Sequence, residues 1–216
     1  IKQNENYVAG KNPYILNKPT EKKPDNRIPV PLAKMAVEDM AGYAGRSGDI
    51  IVDYELTSTD MEDDNDPFID YMRAMDSYND QELETSELYE ESLIQGESYE
   101  LWWVSDKLKL KKGLSTAEFK IVDNSSVYLK YTSSIKPELE YGIYFYDEDD
   151  MHMADVMYPL YKEIWQSKDS SSWKLIEESP YPFKTVPINV FQANRHSVPL
   201  FEAEKPLIDS FDELIS

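Results

Sequence analysis

At Gly96 the hydrophobic period of this chain changes, and that break divides it into a helical first part and a β-rich second part. Upstream, Leu83, Leu88, Leu93 and Ile94 recur at helical spacing over Gln81 to Gln95, and the glycine that follows is a helix stop. Downstream, Tyr99, Leu101 and Trp103 alternate with Glu100, Trp102 and Val104, and Leu108 and Leu110 stand between lysines. Alternation of this kind predicts a hairpin with one wet face.

Two more helices precede the break. Pro29 and Pro31 suit a first helical turn, and Leu32, Met35, Ala36, Met40 and Tyr43 form a stripe over Pro31 to Arg46 that Gly45 and Gly48 terminate. Asp66 reads as an N-cap and Pro67 as a first helical residue, with Phe68, Ile69, Met72 and Met75 inward over Pro67 to Tyr78. Asp49 to Leu56 reads as a strand, and Ile1 to Asn26, punctuated by Gly10, Pro13, Pro19 and Pro24, as an extended arm with turns. Beyond Gly96, strands are predicted near Glu118 to Val122, Val127 to Tyr131, Tyr141 to Tyr146, Val156 to Gln166, Trp173 to Glu177 and Val186 to Phe191. A last helix, Pro206 to Ser216, carries the stripe Leu207, Ile208, Phe211, Leu214 and Ile215, while Asp209, Asp212 and Glu213 favour its N-terminal end. The layout is α+β: N-terminal helices, an antiparallel β meander, then the start of a helix. Its parts are an arm over 1–26, a helical acidic part over 27–96, a β part over 97–191 and a loop with the departing helix over 192–216.

The 216 residues carry a formal charge of −20, unevenly spread. Between Asp60 and Glu100 fifteen acids face the single base Arg73, whereas Ile1 to Arg46 holds eight bases and five acids. Gripping nucleic acid by counterion release needs clustered Lys and Arg, so tight DNA binding is disfavoured. With no Cys there is no disulfide, thiolate ligand or Cys nucleophile, and two His are too few for most zinc chemistry. No apolar run approaches the roughly 20 residues of a membrane helix, so no membrane partner is expected. Ile1 is not an initiator Met, and the chain ends inside a helical pattern, so it reads as an internal fragment.

Candidate chemistry is sparse. Gly42, Gly45 and Gly48 follow a helix and lack the Lys-Ser/Thr ending of a phosphate loop, so they read as a helix terminator. Asp60 to Asp66 and Asp147 to Asp150 lack the Gly and terminal Glu of a calcium loop. Met151-His152-Met153 offers soft ligands, but at the start of a strand packing is the plainer reading. Trp102, Trp103, Trp165, Trp173 and sixteen Tyr suit a core or subunit interface better than a sugar platform. No enzyme and no cofactor are expected. Asn124-Ser125-Ser126 is a glycosylation sequon by letters alone.

The order of several short passages adds a resemblance. Val186-Pro187-Ile188-Asn189-Val190-Phe191, then Asn194, Phe201-Glu202 and Ile208-Asp209-Ser210-Phe211, resemble a passage of the portal proteins of tailed bacteriophages, the long-tailed type of Gram-positive hosts. Val8 to Pro13, Asp25-Asn26-Arg27-Ile28, Ile50 to Tyr54, Ser92 to Leu101 with its Gly96 and Tyr99, and Phe119 to Asp123 are similar to earlier passages of that family in the same order. Asn124 stands where the family usually has Pro.

The resemblance implies the outward-projecting wing of a portal subunit, one of about a dozen copies in a ring at one capsid vertex. Its implied partners are other copies, the major capsid and scaffolding proteins, and, through parts outside this chain, a terminase and a head-tail adaptor. Double-stranded DNA would pass without specific binding, and the place would be the virion, after assembly in host cytoplasm. By the same resemblance, Asn26, Arg27, Gly96, Tyr99, Pro187, Asn194, Phe201, Glu202, Ile208, Asp209 and Phe211 are assembly residues. The alternatives are an aromatic-rich extracellular binding module and an acidic glycoside hydrolase-like domain.

Overall fold

The computed structural model of the chain describes residues 1–17, 27–45, 67–110 and 114–215. Asn26, the expected strand at 49–56, the acidic loop before Pro67 and Gly48 lie outside them. The fold is mixed α+β, helices first and antiparallel sheets after, in two compact units: Ile1–Ser98 with Phe191–Ser216, and Tyr99–Val190.

The first unit is helical: α1 (Lys2–Val8), α2 (Pro13–Leu16), α3 (Leu32–Gly45), α4 (Pro67–Tyr78), α5 (Gln81–Gln95) and α6 (Lys205–Ile215). The arm expected to be extended therefore carries two short helices. Its overlooked signal is Asn12-Pro13: the Asn12 side chain accepts from Ile15 N at 3.0 Å as an N-cap, and Pro13 takes the first helical position, where its missing N–H costs nothing.

The core of this unit joins Tyr7, Ala33, Val37, Ala41, Leu93, Phe201 and Ile208. On α3 the buried ridge is Ala33, Val37 and Ala41, each four residues on, and it corrects the expected stripe: Met35, Met40 and Tyr43 are exposed. Small side chains on a four-residue ridge let helices approach closely, which outweighs the larger burial the methionines would offer. α4 buries Met75 as expected, and α5 buries Leu88 and Leu93 but leaves Leu83 exposed.

The second unit is two antiparallel layers. A three-stranded sheet has the order β2 (Leu114–Val122), β1 (Glu97–Leu110), β8 (Ile188–Gln192). A five-stranded meander follows chain order through β3 (Val127–Tyr131), β4 (Leu139–Glu148), β5 (Met151–Tyr158), β6 (Tyr161–Ser167) and β7 (Lys174–Pro180). Tyr99, Val122, Val186 and Ile188 meet Met157 between the layers. Gly142 permits that approach: a Cβ there would fall 2.6 Å from Ile188 Cδ1.

Two strand readings are corrected. The single strand expected over Val156 to Gln166 is a hairpin, turning at Pro159-Leu160, with Leu160 in the left-handed region at φ 71°. Such a turn usually takes Gly. Leu160 is held there by its N–H on the Phe183 carbonyl at 2.8 Å and its carbonyl on Tyr181 N at 2.7 Å. The wet face expected on β1 is not wet at Glu100, which is buried and accepts from Asn189 Nδ2 at 3.0 Å, nor at Trp102, stacked on Phe119 with centroids 4.7 Å apart. The acids Asp149 and Asp150 form the β4–β5 turn with φ of 49° and 60°, the backbone of a tight hairpin that Asp tolerates.

Candidate functional site

Five of the eleven singled-out residues, Phe201, Glu202, Ile208, Asp209 and Phe211, lie at the junction of α6 with the arm and α5. Phe201 and Ile208 are core residues there, and Lys205 spreads its ammonium over the rings of Tyr7 and Phe201 at 5.5 and 5.8 Å while pairing with Glu202. It also donates to Asn4 Oδ1 at 2.9 Å.

Two carboxylates of α6, three residues apart and so on one face, meet the arm. Asp209 accepts from the Tyr7 hydroxyl at 2.9 Å. Asp212, with no exposed surface, accepts from Asn12 Nδ2 at 2.7 Å and from Val30 N at 3.2 Å. These acids tie the helix to the arm, which corrects their reading as charges that favour the helix start; neither lies in the first turn. Burying a carboxylate is costly without such donors, so the match of donor to acceptor sets the rotation of α6.

Arg27 closes the arm on itself, donating to the carbonyls of Tyr14, at 2.6 Å, and Asn17. Gly96 caps α5 at φ 94°, and its carbonyl accepts from Ala193 N at 2.9 Å. Asn194 organises the loop above it, accepting from His196 N at 3.0 Å and donating to the Val198 carbonyl at 2.7 Å. Tyr99 and Pro187 belong to the second unit: Tyr99 is core, and the Pro187 carbonyl accepts from Trp102 N at 2.9 Å. Tyr7 is not singled out in sequence, and neither Asn12 nor Asp212 is read there as a partner of a distant residue. Only Asn12-Pro13 left a local signal, since the partners of the other two lie about two hundred positions away.

Among the described residues, one face of this junction is unfilled. A groove of about 800 Å3 runs between α3 and α6, lined by Leu32, Ala36, Met40, Leu207, Phe211 and Leu214, with Asp39 and Glu204 among its lining. The expected α6 stripe is therefore split: Ile208 is buried, whereas Leu207 and Leu214 are 69% and 85% exposed.

Burial and then the Asp209 hydrogen bond raise the Tyr7 hydroxyl from 10.0 to about 12. A group whose folded pKa is raised contributes fully below its unfolded value and loses that contribution as pH climbs through the folded one. Tyr7→Phe should thus cost about 1 kcal/mol near neutral pH, and its deficit against the parent protein should shrink as pH rises from about 10 towards about 12. Chemical denaturation across that range measures it; a pH-independent deficit would contradict the assignment.

In the second unit a cleft of about 410 Å3 is lined by Trp103, Lys120, Tyr144, Tyr146, Lys162, Tyr181 and a single carboxylate, Asp155. Burial pushes the Asp155 carboxyl up against the opposing pull of Lys162, 3.8 Å away, and of the Tyr146 hydroxyl at 3.1 Å. Glycoside hydrolysis needs two carboxylates facing one bond, and among the described residues one, Asp155, lines this cleft. His152 Nδ1 lies 2.7 Å from Asp147 Oδ1 on the meander, both largely exposed. Among the described residues, no three His, Asp or Glu converge as metal ligands. Also among them, no helix is long and apolar enough to cross a membrane.

Helices that hold α6 in the first unit and antiparallel sheets in the second make this an α+β protein. The family described as "Phage portal protein, SPP1 Gp6-like" matches residues 1–216, and the chain belongs to it. The comparison with curated proteins found no match.

Proposed function

We propose that this chain is the wing part of a portal subunit of a long-tailed phage of a Gram-positive host. About a dozen copies form a ring at one capsid vertex, where they seat against capsid and scaffolding proteins. The ring frames the channel for DNA packaging and ejection, and the complete protein meets the terminase and the head-tail adaptor through parts outside this chain. The supporting observation is the family match over all of residues 1–216. A charge of −20 suits a channel component that must let a polyanion pass without capturing it.

The subunit acts by packing and not by bond chemistry. Several of its aromatics pair with one another within its own sheets, as in the stacked pairs Trp102 with Phe119 and Tyr158 with Tyr161, which favours this reading over a sugar-binding module. Heads assembled in a phage lacking this protein should contain no DNA, by electron microscopy and by nuclease-protected DNA content. DNA-filled heads from such a phage would overturn the proposal.

A further inference from the structure

Resting on the ring reading above, we infer that the groove between α3 and α6 receives the N-terminal arm of a neighbouring copy together with the residues just after it, with Leu16 and Ile28 as the inserted side chains. Among the described residues of the chain's own arm, 1–17, none lines that groove. That arm is fastened to a different face of α6 by the Tyr7–Asp209 and Asn12–Asp212 hydrogen bonds, while Leu207, Phe211 and Leu214 flank the groove.

Charge selects the occupant. Asp39 and Glu204 line the groove, and the two lysines of its walls are already engaged, Lys34 by Glu38 and Lys205 by Glu202. A complementary surface must therefore be apolar at its tip and basic at its sides, which is scarce on a chain of charge −20. The arm has that composition. Leu16 and Ile28 are 52% and 58% exposed, the described arm residues carry Lys2 and Lys11 against Glu5, and Arg27 follows just after the arm. These positions lie together, because Arg27 binds the carbonyls of Tyr14 and Asn17 and Gly10 packs against Pro29.

A groove on one surface and a knob on another make a heterologous contact, which propagates from copy to copy and closes into a ring when the rotation permits. A groove meeting its own equivalent would instead stop at a dimer.

Residues 1–216 contain no Cys, so the introduced thiols are the only ones in this part of the protein, and any Cys outside it is replaced by Ser for the test. In the complete portal protein, Leu16→Cys with Met40→Cys, both at exposed positions, is treated with a short bismaleimide and run on a denaturing gel. The expected result is a ladder of covalent multimers rising to the closed ring, with no ladder from either single variant. Rings in micrographs without a ladder would overturn the groove assignment and leave the ring reading standing. Covalent dimers from Met40→Cys alone would overturn it in favour of groove-to-groove pairing. A parent protein that stays monomeric would overturn the ring reading, and this contact with it.

Discussion

Gly96→Val should destabilise the first unit by about 4 kcal/mol or more. Its backbone sits at φ 94°, where any side chain is strained, and a Cβ would fall 2.2 Å from the Ser197 carbonyl oxygen and 2.8 Å from Val198 N. Those are backbone atoms, so no rotamer change relieves the overlap. Nor is the loop free to withdraw: Asn194 ties it internally, and Ala193 N is bonded to the Gly96 carbonyl. The smaller Gly96→Ala change meets the same atoms and should be nearly as harmful. Urea unfolding reads the effect directly, and a loss below about 1 kcal/mol would show that the loop yields more easily than this geometry implies.

Ile208→Asp and Phe211→Asp, neighbours on one helix, should part company. Ile208 is buried among Tyr7, Leu93 and Phe201, so the substitution loses the packing of a core aliphatic, about 2–5 kcal/mol, and adds a carboxylate with no donor waiting for it. Against a typical total of about 5–15 kcal/mol, the first unit should be largely unfolded. Phe211 is half exposed in the groove wall, so Phe211→Asp should shift stability by less than about 1 kcal/mol. It should nonetheless abolish ring assembly in the complete protein, because it places an unpaired charge where the neighbouring arm must be buried. Far-UV circular dichroism separates the two variants, and size-exclusion chromatography reads the second effect. Normal rings from Phe211→Asp would remove the groove from the interface.

This contrast also shows what the sequence made legible. The stripe of α6 is visible in its letters, but which side of the stripe packs inward depends on partners at the other end of the chain. Tyr7 and Asn12 claim the face bearing Asp209 and Asp212, leaving Leu207 and Leu214 outside. The same limit applies to α3, where Met35, Met40 and Tyr43 out-scored the alanines by hydrophobicity while close helix approach selected Ala33, Val37 and Ala41.

Elements whose signals are local were readable. Pro67–Tyr78, Gln81–Gln95 and Val127–Tyr131 match the structure at both ends, and for the two helices the signals, Pro67 and Gly96, stand at the boundaries themselves. The Pro159-Leu160 turn was hidden because its positive φ is imposed by Phe183 and Tyr181, twenty residues on, and not by a Gly or Asn in the turn.

The central claim is that this chain is part of a subunit that works only as a ring. Native mass spectrometry of the complete portal protein measures that most directly. The account predicts one dominant closed assembly of about a dozen copies, lost in Phe211→Asp while the subunit stays folded. A protein that remains monomeric or dimeric at assembly concentrations, with its wing intact, would contradict it.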